Sequence, residues 1–183
     1  MNQLTKLLII GIGIRVALAP FFMHTWDIAT ILTSSDQFLK GLNPYRYVMD
    51  QANQLLEVTG LPIPYYGFAY LPTTLLLFSP FYALYLLLHM SEAPVVGGHG
   101  DIYTGLHMIY PDIFIALMAI KLPIIIADVI AIYLLSKVNM KAAWIYALNP
   151  YMIVITALWG NFDPLIGLML FVSYLAFNKN NLL

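Results

Sequence analysis

The chain has 183 residues; 61% are hydrophobic, only 9% are charged, and the net charge is −1. Soluble domains carry roughly 25% charged residues, so this deficit, with a mean hydropathy of +0.81, excludes an ordinary water-soluble fold and makes the bilayer the consistent solvent. Without a basic cluster the chain has no electrostatic footprint for nucleic acid, and with no cysteine it has neither disulfides nor thiolate metal sites.

The first apolar stretch, about 5–23, begins behind Lys6 and ends in Ala17-Leu18-Ala19, which imitates a signal-peptidase site. Arg15 interrupts the apolar run and Pro20 occupies the position after the cut, so the segment reads as an uncleaved anchor helix. Residues 24–111 read as a long external loop lying on the membrane. Ile28, Ile31, Leu32, Phe38 and Leu39 give 28–40 the pattern of an amphipathic interfacial helix. The turn residues Gly41-Leu42-Asn43-Pro44-Tyr45 end it, and a second short helix is expected near 46–59. The stretch 71–90 is strongly apolar but holds Pro72 and Pro80, which suit a broken, re-entrant or interfacial helix better than a straight span. The Gly/His-rich stretch 91–111 reads as loop. Three further spans follow at about 112–136, 142–159 and 164–178.

The positive-inside rule places Lys6 and the Lys137/Lys141 loop on the cytoplasmic side. Two sites on one side are separated by an even number of crossings, which is satisfied if 71–90 does not cross. The expected fold is therefore all-α and polytopic, with about four transmembrane helices in a single module and a cytoplasmic N-terminus. It would be an integral protein of a cell membrane, or of the endoplasmic reticulum in a eukaryote. Lys179 then also lies inside. Asp27, Asp36, Asp50, Glu57, Glu92, Asp101, Asp112 and Asp163 lie outside, and among the acids only Asp128 is left within the membrane.

Asp27 and Asp163 emerge at the same membrane boundary, where one carboxylate serves as a general base and another as a substrate or metal holder; solvated loop acids give the same pattern. Arg15, Lys121 and Asp128 lie inside spans, where charge is costly and is paired or functional. Arg15 and Asp128 sit at comparable depth, which makes a structural pair between adjacent helices the economical reading. Lys121 lies nearer the outer end, where it either snorkels outward or meets an anionic phosphate at headgroup level. His99, Asp101 and His107 match no strong zinc pattern. Thirteen tyrosines suit an interface belt and are also compatible with a sugar-stacking surface.

The order Arg15, Asp27, Gly41-Leu42-Asn43-Pro44-Tyr45 and Tyr70-Leu71-Pro72 resembles the start of the GT-C superfamily of membrane glycosyltransferases. The later run Lys121-Leu122-Pro123 to Asp128, then Asn149-Pro150, then Trp159-Gly160-Asn161-Phe162-Asp163, is similar to their next helices. These enzymes use polyprenyl-phosphate sugars, including dolichyl-phosphate mannose. The resemblance implies an inverting, mannosyltransferase-like hexosyl transfer with Asp27 as base and Asp163 as a second active-site acid. Lys121 would stabilise the leaving phosphate, and Trp26, Tyr45 and Tyr70 would belong to the roof of a lipid-linked sugar site. Family members often carry a second acid where Thr25 stands here, so a divalent metal is possible but not required. Full enzymes have many more helices, so the resemblance covers an N-terminal part, which fits a truncated product, one half of a split enzyme whose partner membrane chain supplies the rest, or a diverged module that lost activity. The competing expectation is a non-catalytic lipid-binding or assembly subunit that keeps the fold. A transporter would want more polar residues within the spans.

Overall fold

The structure is a computed structural model that describes residues 1–46, 72–89, 102–104 and 111–180. The short helix expected near 46–59, residue Tyr70 and most of 91–111 lie outside the described residues. The described chain is mostly helical. Its elements are α1 (Gln3–Leu18), a 3-10 turn (Ala19–Phe21), β1 (Phe22–His24), α2 (Thr25–Leu39), α3 (Pro72–His89), β2 (Ile102–Thr104), α4 (Pro111–Val138), α5 (Met140–Ala147), α6 (Pro150–Ile153) with a π-helical turn (Val154–Trp159), and α7 (Asp163–Asn180).

Among the described residues, two helical stretches are long and apolar enough to cross a membrane, Gln3–Phe21 and Phe114–Val138. The segment expected as one straight span at 142–159 is bent by 54° between Met140–Ala147 and Pro150–Trp159, and makes a third crossing if the bent pair is one span. The bend has a local cause. The residue before a proline is pushed out of the helical region, and Asn149 is extended, with ψ 119°. Its side chain then accepts from the Tyr151 amide at 2.9 Å. That amide would otherwise bond the Ala147 carbonyl.

The first helix also stops earlier than expected. Pro20 sits in the first turn of the 3-10 segment, and the chain leaves it as strand β1. This pairs antiparallel with β2, in the register Phe22↔Thr104, Met23↔Tyr103, His24↔Ile102. An all-α reading therefore misses one short ribbon, whose second strand falls within the stretch read as loop. Pro80 does not break α3, which runs through it for 18 residues. Helix α2 starts at Thr25 rather than 28 and ends on Gly41, whose φ of +72° is the left-handed conformation that glycine adopts freely.

Helix α4 is the axis on which the rest packs. At 28 residues it is about 42 Å long. One half buries Leu117, Ile120 and Ile124 against Ile28 and Leu32 of α2 and Phe78 and Tyr82 of α3. Its other half buries Ile132 against Leu7 of α1 and Ala143 and Ala147 of α5. Close approach there is set by small residues: a Cβ added to Gly11 would lie 3.7 Å from Ala147 Cβ and 3.4 Å from Ile132 Cδ1. Large apolar side chains on the outer faces stay exposed, among them Leu87 (78%), Leu170 (68%) and Met169 (63%). That surface suits lipid rather than water.

Arg15 and Asp128 are both fully buried and form an ion pair between α1 and α4. Arg15 Nη1 also donates to the Gly11 and Ala147 carbonyls, each at 3.0 Å. The second of these is the carbonyl freed by the bend. Removing one partner of a buried pair leaves an uncompensated charge and costs roughly 3–5 kcal/mol, whereas replacing both is often close to neutral. Arg15→Met is therefore expected to lower the thermal unfolding midpoint in detergent or nanodiscs sharply. Arg15→Met with Asp128→Leu should recover more than half of that loss. Equal losses in the single and double variants would show that the pair contributes nothing.

Candidate functional site

Where α1, β1, α2 and the π-helical turn meet, two buried side-chain arrangements lie next to each other. The first surrounds Lys121. It is fully buried, and its ammonium donates to the carbonyls of Ala19 (2.9 Å), Ala157 (2.7 Å) and Leu158 (3.2 Å), and also to that of Phe22. The carbonyls of Ala19, Ala157 and Leu158 are available because helices leave their last carbonyls without intrahelical partners, and that of Phe22 because the chain leaves the helix there as strand β1. The wide π turn adds to this, with Gly160 and Asn161 both donating back to the Ile155 carbonyl at 3.0 Å. A cation at two converging C-terminal ends is also favoured by the helix dipoles. Lys121 thus turns inward. It neither snorkels nor presents an accessible ammonium to a phosphate at headgroup level; the C-terminal carbonyls compete for it at closer range.

The second arrangement surrounds Asp27, which sits in the first turn of α2. Far from being a solvated loop acid, it is 8% exposed. Its Oδ2 accepts from the indole Nε1 of Trp159 at 2.5 Å. The same oxygen lies 2.9 Å from Nδ1 of His24, three residues earlier. This is ion-pair distance, although the ring nitrogen is not aligned along a hydrogen-bond direction. The imidazole stacks on the Trp159 indole, with ring centroids 4.7 Å apart and planes 27° from parallel. Three side chains from β1, α2 and the π turn therefore make one polar cluster at one end of the bundle.

Gly160 joins the two arrangements. Its φ is +82°, and a Cβ there would lie 2.9 Å from Lys121 Cε and 3.0 Å from Ile28 Cδ1. Only glycine fits both the conformation and the space.

The other expected site residues are placed separately. Asp163 is exposed at the start of α7, its amide donating to the Asn161 side chain at 3.1 Å. It borders a cleft of about 420 Å³ between α4, α5, the bent segment and α7, together with Tyr146, Tyr151, Leu135, Ile155 and Phe171. Trp26 lies in the first turn of α2, but its side chain is outside the described residues. Tyr45 follows the far end of α2, its amide donating to the Asn43 side chain at 3.0 Å. Twelve residues of helix separate Asp27 from Leu39, about 18 Å at 1.5 Å per residue. Partial burial raises the Tyr45 phenol above its ordinary pKa. Among the described residues, no three His, Asp or Glu side chains gather in a metal-holding group, so Asp163 does not complete such a set with His24 and Asp27. His99, Asp101 and His107 lie outside the described residues.

His24 is the site residue that reading the sequence missed. Its signal was the three-residue spacing to Asp27 at the start of an amphipathic helix, where i and i+3 share a face. Trp159 stands in the sequence only as part of the Trp159-Gly160-Asn161-Phe162-Asp163 run, with nothing local to assign it a partner.

No family model, curated protein or solved structure matches this chain.

Gly160→Ala should destabilise the fold by at least about 1 kcal/mol, the lower bound for a left-handed non-glycine residue. It should also displace Lys121 from the carbonyls. The check is the thermal midpoint in nanodiscs together with Trp159 fluorescence; an unchanged midpoint would show that the turn relaxes without loss.

Proposed function

We propose that this chain is a GT-C-like glycosyltransferase module that moves a sugar from a polyprenyl-phosphate donor to a hydroxyl acceptor at the membrane surface. The observation that supports this best is the buried Asp27 carboxylate, held by Trp159 and His24 at one end of a bundle of apolar helices. Such a carboxylate-centred cluster suits proton removal from an alcohol beside a lipid-anchored donor. In the transfer, the acceptor oxygen bonds to the anomeric carbon and the bond from that carbon to the phosphate oxygen breaks. Its electron pair leaves on the polyprenyl phosphate, and the hydroxyl proton passes to the His24–Asp27 pair. Asp163 belongs to the reading as a second acid bordering the neighbouring cleft rather than as a direct partner of Asp27. A partner membrane chain supplying further helices remains part of the proposal.

The topology proposed with it has four crossings: α1, α4, the bent α5–α6 segment and α7. Helices α2 and α3 then lie at the surface that carries Asp27, and Lys6, Lys137 and Lys141 lie on the cytoplasmic side. Single cysteines at Leu42 and Val138, both exposed, should label from opposite faces of sealed vesicles. Labelling from one face would overturn the four-crossing arrangement.

The cleft of about 420 Å³, largely apolar in its lining, favours one second reading, a non-catalytic subunit that binds a lipid chain there. Transfer of radiolabelled mannose from polyprenyl-phosphate mannose to an alkyl mannoside, in vesicles holding the protein with its co-purifying membrane chains, separates the two. Asp27→Asn should reduce transfer by roughly 10²-fold or more, the scale of general-base catalysis. Lipid binding with no transfer by the wild type would favour the subunit reading.

A further inference from the structure

The geometry points to His24 Nε2, not an oxygen of Asp27, as the atom of this site that accepts a proton, with Asp27 as the residue that positions the ring. The inference rests on the transferase reading for the identity of the proton, and on the cluster alone for the identity of the acceptor.

Asp27 is poorly placed to take a proton itself. It is 8% exposed, and its Oδ2 is already engaged by the Trp159 indole at 2.5 Å and approached by His24 Nδ1 at 2.9 Å. His24 has the complementary arrangement. Its Nδ1 is buried with no aligned hydrogen-bond partner, and the Asp27 carboxylate is the acceptor within reach. At 2.9 Å from a carboxylate oxygen a lone pair on Nδ1 would be repelled, so the carboxylate favours the tautomer with its proton on Nδ1, even though that N–H is not aligned on Oδ2. The lone pair of the neutral ring would then sit on Nε2, which is not among the buried unpartnered atoms. The side chain is 16% exposed, and in the inferred role an incoming hydroxyl reaches it at this nitrogen. Stacking on Trp159 at 4.7 Å fixes the ring plane, and the pairing of His24 with Ile102 across the ribbon fixes the backbone that carries it. One group thus holds the tautomer while the other nitrogen works, which is the division of labour of His–carboxylate pairs in general. The Nδ1–Oδ2 contact is not collinear, and catalytic hydrogen bonds often align only with substrate bound.

In the transfer step the acceptor hydroxyl gives its proton to Nε2 as its oxygen bonds to the anomeric carbon. The electron pair of the broken bond stays on the departing polyprenyl phosphate, and the imidazolium later releases the proton to water.

Two measurements test this. The first, 15N NMR of histidine-labelled protein in bicelles with His24→Gln for assignment, reads the tautomer directly. The expected result is a neutral His24 protonated at Nδ1 and bare at Nε2, with that preference lost in Asp27→Asn. A ring protonated at Nε2 overturns the inference. The second is mannose transfer from polyprenyl-phosphate mannose to an alkyl mannoside. His24→Gln should lower it by roughly 10²-fold or more, and added imidazole should partly restore His24→Ala. Transfer by His24→Gln within twofold of wild type, with Asp27→Asn inactive, would return the role to Asp27. If the wild type transfers nothing, the transferase reading falls, and the tautomer alone decides which atom of the cluster accepts a proton.

Discussion

A bilayer offers no water to backbone carbonyls, so any chain that breaks its helices inside one must provide donors for the acceptors it frees. Here the donor that matters most is the Lys121 ammonium. It gathers the carbonyls of Ala19 and Phe22 from the end of the first helix and those of Ala157 and Leu158 from the π turn. These two places carry the candidate site. Phe22 is two residues from His24 and five from Asp27, and Leu158 immediately precedes Trp159. A lysine hydrogen-bonded to carbonyls beside the cluster thus ties together two of the segments that carry it. The absence of a side chain at Gly160 is part of the same device, because a methyl group there would meet the lysine stem at 2.9 Å.

Arg15 plays the equivalent part deeper in the bundle. Its guanidinium receives the carbonyl that Asn149 and Pro150 release at the end of α5, and Asp128 balances its charge. Lys121 and Asp128 are seven residues apart on α4, two turns along one face, so both face the first helix and the bent segment. The polar groups form two levels along that face. Apolar packing fills the rest, with α2 and α3 against one half of α4 and α1 and α5 against the other. The bend and the charges belong together. The carbonyls of Ala19, Phe22, Ala147, Ala157 and Leu158 each meet a cation, and the cations themselves are tolerated because they have carbonyls or a carboxylate to meet.

This economy has a consequence for chemistry. A cation committed to backbone carbonyls is not available to an outside anion. The cluster that remains open is small, a carboxylate, an imidazole and an indole, and it joins three elements that are distant in sequence. Its rigidity follows from its supports: the ribbon register at His24↔Ile102, the start of α2 at Asp27 and the π turn at Trp159. The apolar faces of α1, α3 and α7 that remain exposed, such as Ile9 at 57% and Leu76 at 64%, mark where lipid or further membrane chains would lie.

The sequence by itself determined the solvent and much of the segmentation. Hydropathy located the apolar stretches, Pro20 and Gly41 marked places where helices end, and the charges of Arg15, Lys121 and Asp128 stood out because each is costly in a bilayer. These are local properties, legible wherever composition and turn chemistry decide. Partnership is not local. That Lys121 turns inward depends on carbonyls 36 residues later and about 100 residues earlier, and on a bend that makes them available. That Asp27 is buried beside His24 and Trp159 depends on a contact spanning 132 residues. Only the tertiary structure decided which polar groups satisfy one another, because in a low-dielectric interior each donor goes to the nearest unsatisfied acceptor, and nearness across helices is set by packing.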